Sequence, residues 1–353
     1  MTKRVVIMAG GTGGHVFPAL AVAQSLQDKG WQVSWLGTQK GLESRVIPDN
    51  GIAIDTISVA GIRGKGVLSK ITAVFGLFKA CVQAATILRQ RKPDVVLGMG
   101  GFVAGPGGLM AKLLGIPLVI HEQNRVVGTT NRLLARMANR VLEAFPDSFT
   151  PAFKATCAGN PLRKQFLAQL HERENAVGQG VKILIIGGSQ GAQILNEVVP
   201  EAIAHWHTPA VQVKHQTGAV MQAQVAERYQ ALGIDAEASA FISDMVAAYQ
   251  WADILICRAG AMTVSEVAAV GIPAIFVPLP SAIDDHQTAN AKYLTDADAG
   301  ILLMQKDLNT ETLAQQLSLM LNNLKAMSDA AQRLARLDAT EVVANYCIAE
   351  AKP

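Results

Sequence analysis

The sequence predicts an α/β protein made of parallel βαβ units, arranged as two nucleotide-scale halves facing a cleft, and three observations predict it. First, apolar runs meet glycine-rich turns. Val5-Val6-Ile7-Met8 enters Gly10-Gly11-Thr12-Gly13-Gly14-His15, Val95-Val96-Leu97 enters Gly98-Met99-Gly100-Gly101, and Ile183-Leu184-Ile185-Ile186 enters Gly187-Gly188-Ser189-Gln190-Gly191. A short β-rich run that meets glycines and then a helical pattern reads as a buried parallel strand opening onto a helix N-terminus. Glycine admits a close backbone approach there, and the N–H groups of the helix start favour an anion. Second, strand and helix patterns alternate throughout, the mark of βαβ units. Third, one unit recurs. Pro93-Asp94-Val95-Val96-Leu97, glycines, a helix and Gly115-Ile116-Pro117-Leu118-Val119-Ile120 are echoed by Ala252-Asp253-Ile254-Leu255-Ile256, a glycine turn, a helix and Gly271-Ile272-Pro273-Ala274-Ile275-Phe276.

In chain order, Val5–Met8 is the first strand and Ala19–Lys29 a helix ended by Gly30. Gln32–Leu36 and Ile52–Ile57 are strands, and Leu68–Arg91 is a long helix. Asp94–Leu97 is a strand, Gly107–Leu114 a helix, Leu118–Ile120 a strand and Thr130–Met137 a helix. Gln169–Gly180 is polar and acidic, so it reads as a loop before Lys182–Ile186 restarts the cycle. The domain boundary falls near Asn160-Pro161.

A chain of 353 residues suits two domains. Half of it is hydrophobic and the mean hydropathy is +0.25, which fits strands covered on both faces. The net charge of +3 gives no argument for nucleic acid. Cys81, Cys157, Cys257 and Cys347 stand alone, so no zinc or dithiol motif appears and a reducing cytoplasm fits. Met1-Thr2-Lys3-Arg4 before an apolar run imitates a signal peptide, but the run meets glycines too soon for an h-region. The uncharged window Val95–Ala111 is broken by six glycines and a proline and does not read as a membrane span.

The first glycine loop lacks the lysine of a phosphate-binding P-loop and fails the Gly-x-Gly-x-x-Gly pattern, and Gly37-Thr38-Gln39 after the second strand offers no acidic residue for an adenosine ribose. These absences disfavour a redox Rossmann enzyme. His15, where loop becomes helix, is either a general base or a capping and packing histidine. In Cys257–Glu266, another strand–turn–helix pattern, Ala261 to Thr263 present backbone N–H groups to a diphosphate. There Glu266 can accept two ribose hydroxyls and Arg258 can neutralise phosphate; otherwise Glu266 is a solvated first-turn carboxylate that suits the helix dipole. Asp284–Asn290 follows the apolar strand Ala274–Val277 and either reads sugar hydroxyls or forms a surface turn. Asp296-Ala297-Asp298 spells a metal motif but sits at a helix-to-strand turn, and we expect no metal.

Between Gly61 and Pro93 the chain carries Arg63, Lys65, Lys70, Lys79, Arg89, Arg91 and Lys92 without an acidic residue. Ile71, Val74, Phe75, Phe78 and Val82 recur there at helical spacing. The stretch reads as a basic amphipathic helix on an anionic lipid surface, with membrane contact through Ile71, Phe75, Phe78, Lys70 and Lys79. Arg125, Arg132, Arg136 and Arg140 extend that face; the other reading is a stripe packed on the protein's own sheet.

Together these residues resemble the MurG family, the UDP-N-acetylglucosamine:lipid-linked muramyl-peptide N-acetylglucosaminyltransferases of peptidoglycan synthesis, nearly end to end. The resemblance rests on Gly10-Gly11-Thr12-Gly13-Gly14-His15-Val16-Phe17-Pro18, Gly98-Met99-Gly100-Gly101, His121-Glu122-Gln123-Asn124 and Gly159-Asn160-Pro161-Leu162-Arg163. It rests equally on Gly187-Gly188-Ser189-Gln190-Gly191-Ala192 and Arg258-Ala259-Gly260-Ala261-Met262-Thr263-Val264-Ser265-Glu266. It implies a two-domain GT-B fold: residues 1–160 for the lipid acceptor and the membrane, residues 161–339 for the UDP-sugar, and a last helix near 340–353 returning to the first domain.

The resemblance also implies residue roles. Ile242 and Arg163 lie at the uracil, Glu266 at the ribose, and Ser189 with the turn Ala261–Thr263 at the diphosphate, Val264 and Ser265 also counting among the substrate-binding residues. Gln287, Asn124 and Asn290 address the N-acetylglucosamine, while Thr12, Gly13 and Gly14 close over the diphosphate and the reacting centre. His15, then Glu122, is the expected base. The implied reaction is inverting transfer to the C4 hydroxyl of undecaprenyl-diphospho-N-acetylmuramyl-pentapeptide, with no cofactor, at the cytoplasmic face of the bacterial inner membrane, other cell-wall synthesis proteins being further partners. Two positions depart from the family pattern. Phe102 stands where tyrosine is common, so no acceptor bond from that hydroxyl carries over, and Ala259 replaces a familiar serine. The alternatives are a UDP-N-acetylglucosamine 2-epimerase on the same fold and a non-catalytic sugar-nucleotide-binding subunit.

Overall fold

In the computed structural model, residues 2–59, 67–170, 180–188, 191–206 and 210–352 are described, residues 67–73 and 283 through their backbone. The chain forms two compact units, residues 1–164 with 337–353, and residues 165–336.

The first unit runs β1 (Arg4–Met8), α1 (Gly13–Asp28), β2 (Gln32–Gly37), α2 (Glu43–Asp49), β3 (Ala53–Thr56), α3 (Val67–Arg91) and β4 (Val95–Gly98). It continues with α4 (Ala104–Leu113), β5 (Leu118–Glu122), α5 (Thr129–Leu134), β6 (Arg140–Glu143) and β7 (Thr156–Cys157). Its seven strands pair in the order β3-β2-β1-β4-β5-β6-β7, every pairing parallel. Side chains of a strand alternate between faces. Val5, Ile7, Val95 and Leu97 therefore join one apolar layer with Val16, Leu20 and Val343, and Val6, Met8, Val96 and Leu118 join the other with Ala84, Leu88 and Leu134.

The second unit holds α6 (Lys164–Ala168, which begins at the last residue of the first), β8 (Val181–Ile186), α7 (Gln193–His205), β9 (Val211–Gln216), α8 (Gln222–Ala231) and β10 (Asp235–Ser239). Then come α9 (Met245–Trp251), β11 (Ile254–Cys257), α10 (Ala261–Val270), β12 (Ala274–Phe276), α11 (His286–Thr295) and β13 (Gly300–Leu302). Helices α12 (Thr310–Leu321) and α13 (Leu324–Arg333) complete it. Its six strands pair in parallel as β10-β9-β8-β11-β12-β13. The last helix, α14 (Ala339–Glu350), packs on α1, β4 and β5 of the first unit.

In each sheet the chain winds outward from a central strand and then crosses to that strand's other side. The reversal lies between β1 and β4 in one unit and between β8 and β11 in the other. Open α/β sheets bind ligands beyond the carboxyl ends of the strands at such a point. All the glycine turns read from the sequence fall there.

Two helices start earlier than the sequence reading placed them. Helix α1 begins at Gly13 instead of Ala19 and carries Pro18 inside, an unfavourable position that buried Val16, Ala19, Leu20 and Ala23 outweigh. Helix α4 begins at Ala104 instead of Gly107, so Gly105 and Pro106 also lie in the helix. Its glycines serve packing: a Cβ on Gly107 would collide with the Met8 Sδ, and one on Gly108 would sit 2.8 Å from a Leu134 methyl.

Candidate functional site

At the end of β1 the loop passes through Gly10, Gly11 (φ +98°) and Thr12 before α1 starts. The Thr12 hydroxyl makes no capping bond, and its carbonyl takes the first amide bonds of the helix, from His15 at 3.1 Å and Val16 at 3.2 Å. The carboxylate that shapes this loop is one that sequence reasoning missed. Glu43 is fully buried and accepts the Gly11 N–H at 3.0 Å, the Thr38 N–H at 2.9 Å and the Thr38 hydroxyl at 2.7 Å. A Cβ on Gly10 would lie 2.6 Å from its Oε1, and one on Gly37 2.7 Å from its Cγ. Gly10 is therefore glycine to admit a carboxylate of the chain itself.

The β4 loop packs on the β1 loop. A Cβ on Gly101 would collide with the Gly10 carbonyl, and one on Gly100 would stand 3.0 Å from Cε1 and Nδ1 of His15. The imidazole of His15 thus lies against the Gly100 backbone, half-buried, with Nδ1 2.7 Å from Oε1 of Gln123.

At the end of β5, Glu122 is 2% exposed. Its Oε1 accepts the Asn124 N–H at 3.0 Å, and its Oε2 accepts the Gly128 N–H at 3.1 Å and Asn131 Nδ2 at 3.0 Å. Both oxygens are committed to the β5–α5 loop that carries Asn124. Beside it, His121 is fully buried; burial lowers its pKa to about 4 against the opposing bond to the Gly159 carbonyl, so its ring is neutral. Arg163 is exposed, with its guanidinium over the Phe17 ring at 5.7 Å.

In the second unit the β11 turn leads through Gly260 into α10, whose opening turn carries Met262 and Thr263. First-turn amides have no carbonyl of their own helix to donate to, and they form the positive end of its dipole. Glu266 lies one turn further in, half-buried, and its Oε2 accepts the Tyr249 hydroxyl at 3.0 Å. Tyr249 is 1% exposed and held edge-to-face by Phe166, so it orients that carboxylate. The sequence reading did not find Tyr249, which lies on α9 far from any motif. Val264 is buried on the sheet side, and the Ser265 hydroxyl donates to the Ala261 carbonyl at 3.0 Å.

The Arg258 guanidinium donates to the carbonyls of Val277 at 3.0 Å and Pro278 at 3.2 Å, and burial lowers its pKa. Gln287 Oε1 accepts the Leu279 N–H at 2.9 Å and the Ala259 N–H at 3.3 Å, and no partner takes its Nε2 among the described residues. Asn290 is fully buried and donates to the Ala259 carbonyl at 3.2 Å, so it holds the turn from behind. Ile242 is half-buried in the loop before α9, and Ser189 lies outside the described residues. Asp296 and Asp298 are exposed at the α11–β13 turn.

On α3 the stripe singled out from the sequence faces outward. Val74, Phe75, Phe78 and Val82 are 68%, 71%, 69% and 51% exposed, while Ala80, Ala84 and Leu88 form the core face. Lys79 is exposed beside them; the side chains of Lys70 and Ile71 lie outside the described residues. On α4, which packs against α3, Leu113 is 69% exposed, and Phe102 just before it is 58% exposed. Arg140 is paired with Glu350 at 2.6 Å, which offsets its charge. No helix among the described residues is long and apolar enough to cross a membrane.

The model of the glycosyltransferase family 28 N-terminal domain matches residues 5–143, and that of the C-terminal domain matches residues 182–344. The chain belongs to glycosyltransferase family 28. A Methylococcus capsulatus protein named UDP-N-acetylglucosamine–N-acetylmuramyl-(pentapeptide) pyrophosphoryl-undecaprenol N-acetylglucosamine transferase is 56% identical over 354 residues, 99% of each chain. A protein of the same name from Pseudomonas paraeruginosa is 49% identical over 358 residues, all of both chains. The crystal structure of MurG from Acinetobacter baumannii superposes with a TM-score of 0.86 at 42% identity, covering 98% of this chain and 99% of that one. This family 28 chain therefore has the GT-B fold, as its sequence implied.

Proposed function

We propose that this enzyme transfers N-acetylglucosamine from UDP-N-acetylglucosamine to the C4 hydroxyl of the lipid-linked N-acetylmuramyl-pentapeptide, with inversion. The observation that carries the reading is the α10 turn. A glutamate oriented by a buried tyrosine lies one turn inside a helix N-terminus, at a switch point, in a chain whose full-length relatives bear that transferase name. Those names weigh against the epimerase alternative.

In this reading Glu266 accepts the ribose hydroxyls and the amides of Ala261, Met262 and Thr263 receive the diphosphate. Negative charge builds on the departing diphosphate as the C1–O bond breaks, and preorganised N–H donors stabilise it without reorganising. Gln287 offers its amide N–H to the sugar, and Asn290 supports Ala259 behind it. The reading gives Ser189 to the diphosphate, Ile242 and Arg163 to the uracil, Asn124 to the N-acetylglucosamine, and Thr12, Gly13 and Gly14 to the diphosphate and the reacting centre. The first unit binds the acceptor, and His15 takes the proton from its hydroxyl. Glu122 serves the loop instead, since both its oxygens already accept bonds.

The exposed phenylalanines of α3 with Lys79, and Leu113 on α4, support peripheral contact with an anionic bilayer that carries the acceptor, at its cytoplasmic face. The test is transfer of labelled N-acetylglucosamine from UDP to a lipid-linked muramyl-pentapeptide, with chelator present. Disaccharide product supports the reading. Free N-acetylmannosamine, or donor binding with no product, overturns it.

A further inference from the structure

We propose that the Gly159 carbonyl, His121 and Gln123 form a positioning relay that holds His15 in its Nδ1–H tautomer and so leaves the Nε2 lone pair to receive a proton. The inference deepens the reading of His15 as the base and rests on it for its catalytic consequence, but the tautomer itself follows from the hydrogen bonds alone.

The relay starts at a group with only one possible role. The Gly159 carbonyl can only accept, and His121 Nε2 lies 2.8 Å from it, so that nitrogen carries the proton. The ring of His121 is buried and neutral, so its Nδ1 carries none and must accept. The group facing that Nδ1 at 2.9 Å is the Gln123 amide nitrogen, a donor.

The orientation of this amide is fixed a second time. The same nitrogen lies 3.1 Å from the His121 carbonyl, which again can only accept. Turning the amide over would set oxygen against oxygen there and oxygen against a lone pair at Nδ1. The Gln123 oxygen must therefore face His15. It lies 2.7 Å from the Nδ1 of that ring, and an amide oxygen can only accept, so His15 Nδ1 donates. In a neutral imidazole the other nitrogen is then the basic one. Among the described residues nothing else bonds that nitrogen of the half-buried ring.

The relay is also held rigidly. Gln123 is 1% exposed, its carbonyl accepts Asn160 Nδ2 at 3.1 Å, and the His121 carbonyl accepts Asn131 Nδ2 at 3.0 Å. Gly100 backs the His15 ring at Cε1, Nδ1 and Cγ. His121 and Gln123 are positioning residues, since they act on the acceptor only through His15. Their place in the chain hides this, because a histidine and a glutamine two apart at a strand end resemble any polar loop.

The test uses the full-length protein labelled with nitrogen-15 histidine. Long-range proton–nitrogen correlation spectra at neutral pH read the tautomer of each ring, and the His15 signals are those lost in His15→Gln. The expected spectrum shows His15 protonated at Nδ1 and unprotonated at Nε2, and His121 the reverse. Protonation of His15 at Nε2 in the unmodified protein overturns the proposal. Gln123→Met, with its fold checked by circular dichroism, should mix the His15 tautomers and lower kcat about 10- to 100-fold at unchanged donor KM. An unaltered tautomer and kcat in that variant also overturn the proposal. The expected tautomer together with full activity of His15→Ala supports the relay and removes His15 as the base, so the two failures are separable.

Discussion

Replacing Glu43 by glutamine tests whether a buried carboxylate, more than the glycines around it, shapes the loop that leads into His15. The carboxylate accepts three bonds, from the Gly11 N–H at 3.0 Å and from the N–H and hydroxyl of Thr38 at 2.9 and 2.7 Å. An amide has one accepting oxygen. Turned toward Thr38, it keeps two bonds and sets its NH2 against the Gly11 N–H; turned the other way, it loses two. The cheaper orientation forfeits one bond to a charged acceptor, about 1.5–3 kcal/mol, and sets the new NH2 against the part-buried Gly11 N–H. Part of this is offset because a buried charge has gone, so the expected loss is about 1–3 kcal/mol. Glu43→Ala strands all three donors and should cost about 4–5 kcal/mol. Urea titration followed by hydrogen exchange in peptides spanning residues 5–37 reads the unit concerned. The glutamine variant should also lose kcat more than donor affinity, since the loop feeds α1. Stability within about 0.5 kcal/mol of the unmodified protein would refute the argument, for then the three bonds contribute no more than solvent does.

His15→Ala should lower kcat about 10²- to 10⁴-fold while donor KM holds; a matching loss of donor affinity would move the residue from base to binder. Glu266→Ala should raise donor KM about 10- to 100-fold, with Tyr249→Phe giving a smaller rise, and an unchanged KM in the first removes the ribose assignment. Phe75→Ser with Phe78→Ser should weaken binding to anionic vesicles at unchanged solution stability, and undiminished flotation with vesicles would place the membrane face elsewhere. Stability should fall on acidification from pH 6.5 to 5. The folded pKa of His121 is lowered to about 4 and that of His215 to about 3, both by burial, so the unfolded chain takes up protons that the folded chain refuses. This contribution is complete above pH 6.5 and lost at up to about 1.4 kcal/mol per pH unit for each histidine, and a urea midpoint constant across that window contradicts it.

The strands β1, β4, β8 and β11 and their glycine turns were legible because a buried parallel strand must be an unbroken apolar run, and the chain punctuates these four with glycine. What the sequence hid was long-range or two-faced. Strand β6, Arg140–Glu143, carries charge at both ends, and β7 has two residues, so neither shows an apolar run. Glu43 was invisible as a site because it does not stand at the end of β2 but reaches back to the loop from α2. Asn290 matched a sugar-binding pattern, yet periodicity cannot tell that a side chain on α11 turns inward to a carbonyl of the β11 turn. The stripe on α3 was ambiguous for a simpler reason. That helix has two apolar faces, and only contact decides which one is core. Small residues, Ala80 and Ala84, lie against the sheet layer, and the phenylalanines point away from it.

The same topology is put to opposite electrostatic use in the two units. In the first, the switch-point loop ends at a helix whose nearest amide partner is a carboxylate of the chain: Glu43 takes the Gly11 N–H, so that loop already holds an anion. A second anion bound on the same amide would face it at close range, and like charges that close repel strongly in a buried setting. The loop is thereby biased against a phosphate at Gly11 and toward neutral chemistry at His15, whose proton donor and acceptor are set by an uncharged relay. In the second, no carboxylate among the described residues accepts the amides of Met262 and Thr263, and the acidic group, Glu266, stands a turn further along, 3.0 Å from the Tyr249 hydroxyl. That spacing keeps the carboxylate off the first amides of the helix and gives it to a hydroxyl, that of Tyr249. At the same topological place, then, one sheet sets a glutamate of a following helix on the loop amide before α1, and the other sets a glutamate a full turn inside α10, so the two helix starts differ in charge.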